Sequence, residues 1–471
     1  MKKTKIVCTL GPASRDEKVL EKMLLNGMNV ARLNFSHGSH EYHKETIELF
    51  RKVRDKLQIP AAVMLDTKGP EIRLGDFENE EVTLSKGDLF TLTTKNILGN
   101  QEIVSITYKD LPSQLQMGNK ILIDDGKVSL EVVSSTITEL NCKVLVGGKI
   151  SNHKGVNVPN VHLNFEYLSQ KDKEDLKFGV ENDVDYIAAS FVRSKEDVKS
   201  LRNYLDYIGG KNIKIISKIE NIEGVDNFDE ILNSSDGIMV ARGDMGVEVE
   251  YERLPGLQKK FIRKCYQAGK VVITATQMLE SMIHSLTPTR AEITDVANAV
   301  FDGTSAIMLS GETAMGDHPE KVVKTMAKIA RQAENDALNL RVYDGNPHEN
   351  DIDDTTNAIW EAACKTSRDL NAKVIIAVTQ SGHTARCVSK YRPDVPIVAP
   401  TPNSKTYHQL SLSWGVYPVK ALFQTNTNQL FDHAIACAKM SGYVNKNDRV
   451  VITAGENGIT NILNVQIVKS R

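Results

Sequence analysis

Cysteine is scarce in this chain of 471 residues and follows no metal-binding or disulfide pattern. No Cys-x-x-Cys pair occurs among the six cysteines, which stand at positions 8, 142, 265, 364, 387 and 437. In a chain of this length the pattern predicts reduced thiols and a cytoplasmic location. No apolar run reaches membrane-spanning length, and the first one ends at Gly11 and Pro12. We therefore expect neither a membrane span nor a signal peptide.

An excess of charge of either sign is also missing. The chain has 58 basic and 60 acidic residues, for a net charge of -2. This balance gives no support to a nucleic-acid or anionic-membrane partner. Hydrophobic residues make up 41% and charged residues 25%, which is ordinary globular composition and argues against long disorder. The length predicts about three domains.

Eight short apolar runs alternate with amphipathic helical stretches. Continuous apolar strands between helices predict a parallel sheet that is covered by helices. Eight such units predict a (β/α)8 TIM barrel, in which functional residues gather at the carboxyl ends of the strands. The runs lie at 5–10, 29–35, 61–67, 186–191, 213–220, 237–242, 271–277 and 305–312.

The alternation is interrupted once, between positions 70 and 168, by short strands of period two and turn pairs such as Asp125-Gly126. This predicts a small all-β domain that is inserted after the third barrel strand and hangs over the barrel mouth, with the TIM barrel built from 1–69 and 169–343. The acidic stretch 344–354 is typical of a linker. After it the α/β pattern resumes, which predicts a second, smaller C-terminal α/β domain over 344–471.

Charged and polar residues follow most of the predicted barrel strands, at the point where each strand ends. Side chains alternate along a strand, so Lys218 and Glu220 share one side of theirs. In a closed barrel these groups meet at one end. They are Arg32, Asn34, Ser36 and His37, then Asp66, Thr67 and Arg73, then Lys218 and Glu220, then Arg242, Gly243 and Asp244, and finally Thr276, Ser310 and Glu312.

The chemistry of this set favours phosphoryl transfer. Arginine and lysine neutralise phosphate and carboxylate oxygens, and two acids on neighbouring strands suit Mg²⁺ shared with a substrate. Positioning and charge stabilisation dominate such reactions. Taken singly, each residue also has an ordinary explanation, because Lys218 and Glu220 could form a structural ion pair and His37 could cap a loop. Their joint placement favours the functional interpretation.

Long segments of the sequence closely resemble the pyruvate kinase family over essentially the whole chain. The family fold is a (β/α)8 domain, a β-barrel-like lid and an α/β C-terminal domain, which agrees with the pattern above. The matching segments are TLGPAS (9–14), ARLNFSHG (31–38), LDTKGPEIR (65–73), NHKGVNVP (152–159), ISKIENIEG (216–224), DGIMVARGDMGVE (236–248), ITATQMLESM (273–282) and PTRAEITDVANAVFDGTSAIMLSGETA (288–314).

The resemblance implies phosphoryl transfer from phosphoenolpyruvate to ADP, giving pyruvate and ATP in glycolysis. It implies that Lys218 stabilises the phosphoryl group, and that Glu220 and Asp244 bind Mg²⁺ or Mn²⁺. The backbone at Gly243 and Asp244, together with Thr276, would hold the substrate carboxylate. Arg32 would contact substrate phosphate, and a nucleotide set would comprise Asn34, His37, Arg73 and Lys154. The proton donor to the enolate stays open among Thr276, Ser310 and Glu312.

A K⁺ site is a separate implication of the resemblance. The matching positions are Asn34, Ser36, Asp66 and Thr67. Family members that need no K⁺ carry lysine where this chain has Glu71, so we expect K⁺ dependence. The alternative is that Glu71 merely pairs with Arg73.

The resemblance also implies an effector site in the C-terminal domain. Hydroxyls and amides before a helix form a ready anion site, and a sugar phosphate is the expected activator. The loop comprises Thr379, Ser381, Gly382, His383 and Thr384, although His383 replaces a usual basic residue and the loop 453–461 adds acidic Glu456. The alternative is a plain hydroxyl cap of the helix. The family is usually tetrameric, and the chain length suggests a short bacterial form.

Two other functions fit parts of this pattern. A Mg²⁺-dependent barrel could instead cleave carbon–carbon bonds or use a phosphohistidine, but neither needs a nucleotide-binding lysine such as Lys154 in a lid. A catalytically silent metabolite-binding protein would be expected to lack Lys218, Glu220 or Asp244, and all three are present.

Overall fold

The computed structural model describes residues 1–340, 355–424, 426–456 and 459–469. The predicted linker at 344–354 and positions 457 and 458 of the second effector loop lie outside the described residues.

Eight parallel strands close into a barrel. Barrel strands that follow one another along the sequence are neighbours in space, and the first pairs with the last. This confirms the predicted TIM barrel, and each predicted apolar run contains one strand. The strands are Lys5–Thr9, Val30–Asn34, Ala62–Asp66, Tyr186–Ala189, Lys214–Ile219, Gly237–Ala241, Val271–Ala275 and Ala306–Leu309.

Alternation along these strands produces two apolar layers. Val7, Ile216 and Met239 belong to the cluster inside the barrel. Ile6 and Cys8, which flank Val7 in the first strand, pack outward with the surrounding helices. Both faces of each strand are therefore buried, which explains why the sequence shows continuous rather than alternating apolar runs.

Local signals set the ends of the barrel helices. Asp16 and Ser39 accept amide hydrogen bonds at two helix starts, and Gly27 ends the first helix in the left-handed region with φ 118°. The helices are Glu17–Asn26, His40–Lys56, Gln170–Glu181, Lys195–Tyr207, Ile222–Asp226, Phe228–Ser234, Arg242–Glu248, Leu254–Gln267, Arg290–Phe301, Gly311–Ala314 and Pro319–Asn339, with 3-10 turns at Pro12–Ser14, Tyr251–Arg253 and Glu280–Ile283.

A separate mixed sheet follows the third barrel strand, as the sequence predicted. It has seven strands and its own apolar core, and a two-stranded sheet lies beside it. The predicted turn at Asp125-Gly126 joins two antiparallel strands, with positive φ at both residues. The strands are Ile72–Arg73, Glu81–Leu84, Leu89–Thr93, Ile103–Ser105, Lys120–Ile123, Val128–Ser135, Glu139–Val146, Gly148–Ser151 and Gly155–Asn157, with one helical turn at Leu111–Gln114.

The described C-terminal residues form an α/β unit with a five-stranded sheet. Four strands are parallel, and the last pairs antiparallel with its predecessor. The strands are Val374–Ala377, Ile397–Thr401, Val416–Lys420, Arg449–Glu456 and Ile459–Ile467, and the helices are Thr355–Asp369, His383–Lys390, Ser404–Gln409 and Thr427–Met440, with a 3-10 turn at Leu410–Leu412.

This unit covers the amino-terminal end of the barrel. Leu412 belongs to the apolar cluster inside the barrel, and the Tyr186 hydroxyl donates to the Gln409 carbonyl at 2.5 Å. The opposite end, where the strands finish, is left for the site. All six cysteines are free thiols. Among the described residues, none of the helices combines the length and apolarity that crossing a membrane requires.

Candidate active site

Four buried charges of alternating sign lie at the carboxyl ends of the barrel strands. Arg32 Nε donates to Asp66 Oδ2 at 2.6 Å. The other oxygen of Asp66 lies 3.2 Å from Lys218 Nζ, which in turn lies 2.9 Å from Glu220 Oε1. Each of the four residues is at most 8% exposed. The structure therefore brings together, from three different strands, the two cations assigned to substrate and two acids assigned to metals, Glu220 to Mg²⁺ and Asp66 to K⁺.

Burial and neighbouring charge set the protonation of this chain of residues. Burial opposes charge on Asp66, but Arg32 and Lys218 hold its pKa below the ordinary value. Burial also disfavours charge on Lys218, yet Asp66 and Glu220 raise its pKa. For Glu220, burial and the nearby Asp244 outweigh the attraction of Lys218 and raise the pKa to about 7.

This donor set fits a magnesium ion that is shared with a substrate. Burial and the neighbouring Asp244 both disfavour the charged form of Glu220, and two carboxylates brought this close supply the hard oxygen ligands that a divalent cation prefers. No cluster of three acidic, histidine or cysteine ligands occurs among the residues that the structure describes. A site with two carboxylates leaves further positions for water and substrate oxygens, as Mg²⁺ commonly does.

Gly243 and Thr276 meet beside this charged chain. The Gly243 amide donates to Thr276 Oγ1 at 2.9 Å. Thr276 and Gln277 both have positive φ, 69° and 55°, an uncommon conformation for residues with side chains. Arg242 holds this strained turn, because its guanidinium donates to the Thr276 carbonyl at 2.7 Å and pairs with Asp295 at 2.7 Å.

A cleft of about 300 Å³ lies between the inserted sheet and the mouth of the barrel. Asn157 of the inserted sheet reaches Glu248 of the barrel at 3.2 Å across it. Within the sheet, Lys154 pairs with Asp124 at 2.9 Å. The cleft is lined from both sides, and its lining includes Arg73, Lys154, Asn157, Phe191, Asp244 and Glu248. Lys154, Arg73 and Asp244, which the sequence assigned to nucleotide and metal, thus face one cavity.

The four residues predicted to hold K⁺ lie on adjoining strand ends. Asn34 and Asp66 are register partners in neighbouring strands. The Ser36 amide donates to Asn34 Oδ1 at 3.1 Å. Thr67 is buried, and its amide donates to the Ala188 carbonyl at 3.0 Å. Asp66 is the only charged residue among the four, and it already pairs with Arg32 and Lys218.

Glu71 forms the pair that the sequence analysis named as an alternative. Its Oε2 lies 2.7 Å from Arg73 Nη2 and 3.9 Å from Lys68 Nζ. Arg73 also donates to the His153 carbonyl at 2.7 Å. His37 is exposed on the loop after the second strand. Arg73 is thus held by Glu71 in this arrangement. His37 lies at the periphery of the buried charged residues.

Glu312 holds the loops that follow the last two strands. Its two oxygens accept from the Ser310 amide at 2.7 Å and the Leu279 amide at 3.2 Å. The residue is 1% exposed, and burial raises its pKa. Both oxygens therefore have backbone partners.

The predicted effector loop is turned inward on its own backbone. Thr379 Oγ1 accepts from the Gly382 amide at 2.9 Å, and Ser381 Oγ accepts from the His383 amide at 3.4 Å. Gly382, at φ 82°, precedes the helix His383–Lys390, and Thr384 shares a hydrogen bond with Thr460. The five predicted residues share one loop, and the two hydroxyls close local turns before the helix, whose cap residue Gly382 has no side chain to donate or accept.

Two further residues contact the buried charges and were not predicted from the sequence. Thr9 accepts from Arg32 Nη1 at 2.8 Å, and Ser190 Oγ lies 2.9 Å from Lys218 Nζ. They come from the first and fourth barrel strands, the two for which the analysis named no functional residue. A hydroxyl at each strand end was the available signal, but serine and threonine are too common there to stand out.

Comparisons with known proteins agree with this architecture. The family described as pyruvate kinase, barrel domain, matches residues 1–323, and the family described as pyruvate kinase, alpha/beta domain, matches residues 357–466. Pyruvate kinases of Clostridium acetobutylicum and Clostridium perfringens are 49% and 46% identical, over 100% and 99% of this chain and the full length of each relative. A pyruvate kinase of Staphylococcus haemolyticus is 49% identical over 99% of this chain and 81% of the relative.

An α/β barrel with a buried chain of alternating charges at its mouth, beneath an inserted sheet, defines an enzyme of the TIM-barrel class. Within that class, the matches to pyruvate kinases extend along nearly the whole sequence and identify one family. The chain belongs to the pyruvate kinase family.

Proposed function

We propose that this enzyme transfers the phosphoryl group of phosphoenolpyruvate to ADP, and that the buried chain Arg32–Asp66–Lys218–Glu220 is the centre of its site. The observation that carries the proposal is the position of Lys218, within 3.2 Å of two carboxylates at the mouth of the barrel. A lysine held there by acids keeps its positive charge and can stabilise a transferring phosphoryl group.

In the reaction, the bond between phosphorus and the enol oxygen breaks, and phosphorus bonds to a terminal oxygen of ADP. Lys218 and Arg32 offset negative charge on the phosphoryl oxygens during this step. Glu220 and Asp244 would hold Mg²⁺ or Mn²⁺, which when bound would supply charge stabilisation to the substrate. The enolate left behind then takes a proton at carbon to give pyruvate.

The carboxylate end of the substrate binds at Gly243, Asp244 and Thr276. The Gly243 amide and the Thr276 hydroxyl lie side by side, and both can donate to a carboxylate once the amide leaves Thr276 Oγ1 and the hydroxyl leaves the Ala275 carbonyl. Thr276 is the first candidate for the polar group that relays the proton. Glu312 is weaker, because its two oxygens are held by backbone amides.

The nucleotide binds in the cleft beneath the inserted sheet, with Arg73 and Lys154, which line it, on its phosphates. Asn34 and His37 complete the nucleotide set that the family resemblance implies. Closure of the sheet would release Lys154 from Asp124, since an anionic phosphate competes for the same ammonium group. The closed lid excludes water, so that the phosphoryl group reaches ADP instead of being hydrolysed.

A potassium ion binds at Asn34, Ser36, Asp66 and Thr67. Neighbouring neutral oxygens with one carboxylate suit a large monovalent ion, and these residues lie on adjoining strand ends. Replacing K⁺ by tetramethylammonium should lower turnover strongly, because that ion is too bulky for a site of this kind. Undiminished turnover in a K⁺-free assay would contradict the proposed site.

The wider assignments follow the family. We propose domains at 1–69 with 169–343, at 70–168 and at 344–471, a cytoplasmic homotetramer, and activation by a sugar phosphate at the loop of Thr379, Ser381, Gly382, His383 and Thr384. The inward hydrogen bonds of that loop must open for a phosphate to bind.

One assay tests the reaction, the cations and the effector together. Pyruvate formation from phosphoenolpyruvate and ADP is followed with and without Mg²⁺, K⁺ and fructose 1,6-bisphosphate. We expect no turnover without the divalent ion and activation by K⁺. Absence of pyruvate with all components present would overturn the proposed reaction. An unchanged rate and substrate dependence upon addition of the sugar phosphate would overturn only its role as the effector.

A further inference from the structure

Ser190, directly after the fourth barrel strand, is the one neutral side chain in contact with the Lys218 ammonium among the contacts that the structure describes. The residue is 2% exposed. Its hydroxyl oxygen lies 2.9 Å from Lys218 Nζ, 3.2 Å from Asp66 Oδ1 and 2.6 Å from the Thr67 carbonyl oxygen. It therefore joins the catalytic lysine to the end of the third strand.

The protons available to these groups fix the direction of each hydrogen bond. An ammonium group donates up to three hydrogen bonds and cannot accept one. The Ser190 hydroxyl oxygen must therefore accept a hydrogen bond from Lys218. The single hydroxyl proton of Ser190 then goes to the Thr67 carbonyl, which is the nearer acceptor at 2.6 Å. A lone pair of Ser190 is thus aimed at Lys218, and the three protons of Lys218 face Ser190, Asp66 and Glu220.

The backbone around Ser190 is held as firmly as its hydroxyl. Its amide donates to Thr67 Oγ1 at 3.2 Å, and its carbonyl accepts from the Tyr167 hydroxyl at 2.9 Å. The next residue, Phe191, has a positive φ of 53°, and its amide donates to Glu220 Oε2 at 2.6 Å. The same short turn therefore fixes Ser190 and one acid beside Lys218.

A neutral acceptor has an advantage at this position. A third carboxylate would cancel more of the positive charge that Lys218 must present to a phosphoryl group. A hydroxyl directs the ammonium and leaves that charge intact. We propose that Ser190 is a positioning residue for Lys218, which it holds in the direction required for phosphoryl transfer. This role rests on the proposed function.

The test compares two steps that depend differently on Lys218. Ser190→Ala should lower kcat for phosphoryl transfer between about 10- and 100-fold, because a small displacement of a reacting group is enough for such a loss. The KM for phosphoenolpyruvate and the exchange of the pyruvate methyl protons with deuterated water should each stay within about twofold, since Lys218 keeps its charge and proton exchange does not involve phosphoryl transfer.

Two further variants distinguish a role of Ser190 in positioning Lys218 from a role in packing. Ser190→Cys leaves no cavity, since the thiol is slightly larger than the hydroxyl, but it accepts hydrogen bonds weakly, so it should lower kcat as Ser190→Ala does. Ser217→Ala removes another buried hydroxyl, one that pairs with Ser235 at 2.6 Å, and should leave kcat unchanged. Thermal unfolding of each variant reports on the fold.

The outcomes are distinguishable. A wild-type chain without phosphoryl transfer overturns the proposed function, and this role with it. In an active enzyme, wild-type kcat in Ser190→Ala overturns the role of Ser190 alone. Equal losses of phosphoryl transfer and proton exchange, or an equal loss in Ser217→Ala, would mean that Ser190 is merely structural.

Discussion

The charged residues of the site form consecutive ion pairs, and neighbouring pairs share a residue. Arg32, Asp66, Lys218 and Glu220 are buried, and each ion lies against at least one of opposite sign. A buried charge that loses its partner is strongly destabilising. The four residues therefore act as a unit, and the cation that faces substrate is held in place before substrate arrives.

Lys218→Met tests the role of the central cation. We expect phosphoryl transfer to fall by about 10³-fold or more, because the charge that stabilises the phosphoryl group is lost. Exchange of the pyruvate methyl protons should stay measurable, since only the first step needs that charge. Deuterium incorporation into pyruvate, measured by NMR, provides the comparison.

Lys214→Met is the matched control for that variant. Lys214 lies at the other end of the same strand, where it pairs with Asp236 at 2.9 Å. Its loss should leave both activities near the wild-type values. If Lys218→Met abolishes both activities equally, Lys218 does not have the assigned role.

At the scale of elements, the barrel closes through a contact between its first and last units. A Cβ atom added to Gly11 would lie 2.5 Å from the Ala314 carbonyl oxygen and 2.9 Å from the Ala314 Cα. Gly11 follows the first strand, and Ala314 ends the helical turn Gly311–Ala314 after the eighth. The backbone at Gly11 is extended, so the requirement for glycine there is one of space.

Gly11→Ala should therefore destabilise the enzyme. The new methyl group meets backbone atoms, which cannot rotate away, and overpacking of this kind costs about 1–3 kcal/mol. We expect a lower midpoint of thermal unfolding by circular dichroism. For Gly256→Ala, in the helix Leu254–Gln267, the added carbon meets open space and the midpoint should be unchanged or higher. A Gly11→Ala midpoint equal to wild type would contradict the steric argument.

The whole molecule is held together at the end of the barrel opposite the site. Lys3 Nζ donates to the Asp394 carbonyl at 2.6 Å, and the Gly415 amide returns a hydrogen bond to the Lys3 carbonyl at 2.9 Å. Arg392 reaches the Gly303 carbonyl of the barrel at 2.7 Å. Contacts between the C-terminal unit and the barrel therefore contribute to stability without touching the reacting groups.

His408 makes this interface sensitive to acid. Burial and the nearby Arg54 lower its pKa to about 4, against an ordinary value near 6.5. Between these two pH values the unfolded chain binds a proton that the folded chain does not, so stability falls as the pH falls through this window. Above about pH 6.5 the residue is neutral in both states and has no such effect.

His408→Gln should remove this part of the acid sensitivity. The drop in unfolding midpoint between pH 7.5 and pH 5 should be smaller in the variant than in the wild type. His284, whose side chain is 81% exposed, provides the control variant His284→Gln, for which the drop should match the wild type. A drop in His408→Gln as large as that of the wild type would contradict the assignment.

Much of this protein was determined by local sequence. The eight apolar runs predicted eight buried strands, because both faces of a strand in a covered parallel sheet exclude water. The change to period two and the turn at Asp125 and Gly126 predicted the inserted sheet. The positions of Arg32, Lys218 and Glu220 at strand ends were sufficient to predict that they meet, since parallel strands of a barrel end on one side.

Only the tertiary structure decided which atoms pair. The sequence offered Glu71 as the marker of a potassium requirement and, alternatively, as a partner of Arg73. The structure places Glu71 2.7 Å from Arg73, and the potassium requirement is decided by the assay proposed above. The sequence could not identify Ser190, because a hydroxyl at a strand end is common and its importance arises from contacts with Thr67 and Lys218, more than 25 residues away. Sequence periodicity places a side chain on a face of a strand, whereas hydrogen-bond partners depend on ångström-scale distances between strands that only the closed barrel sets.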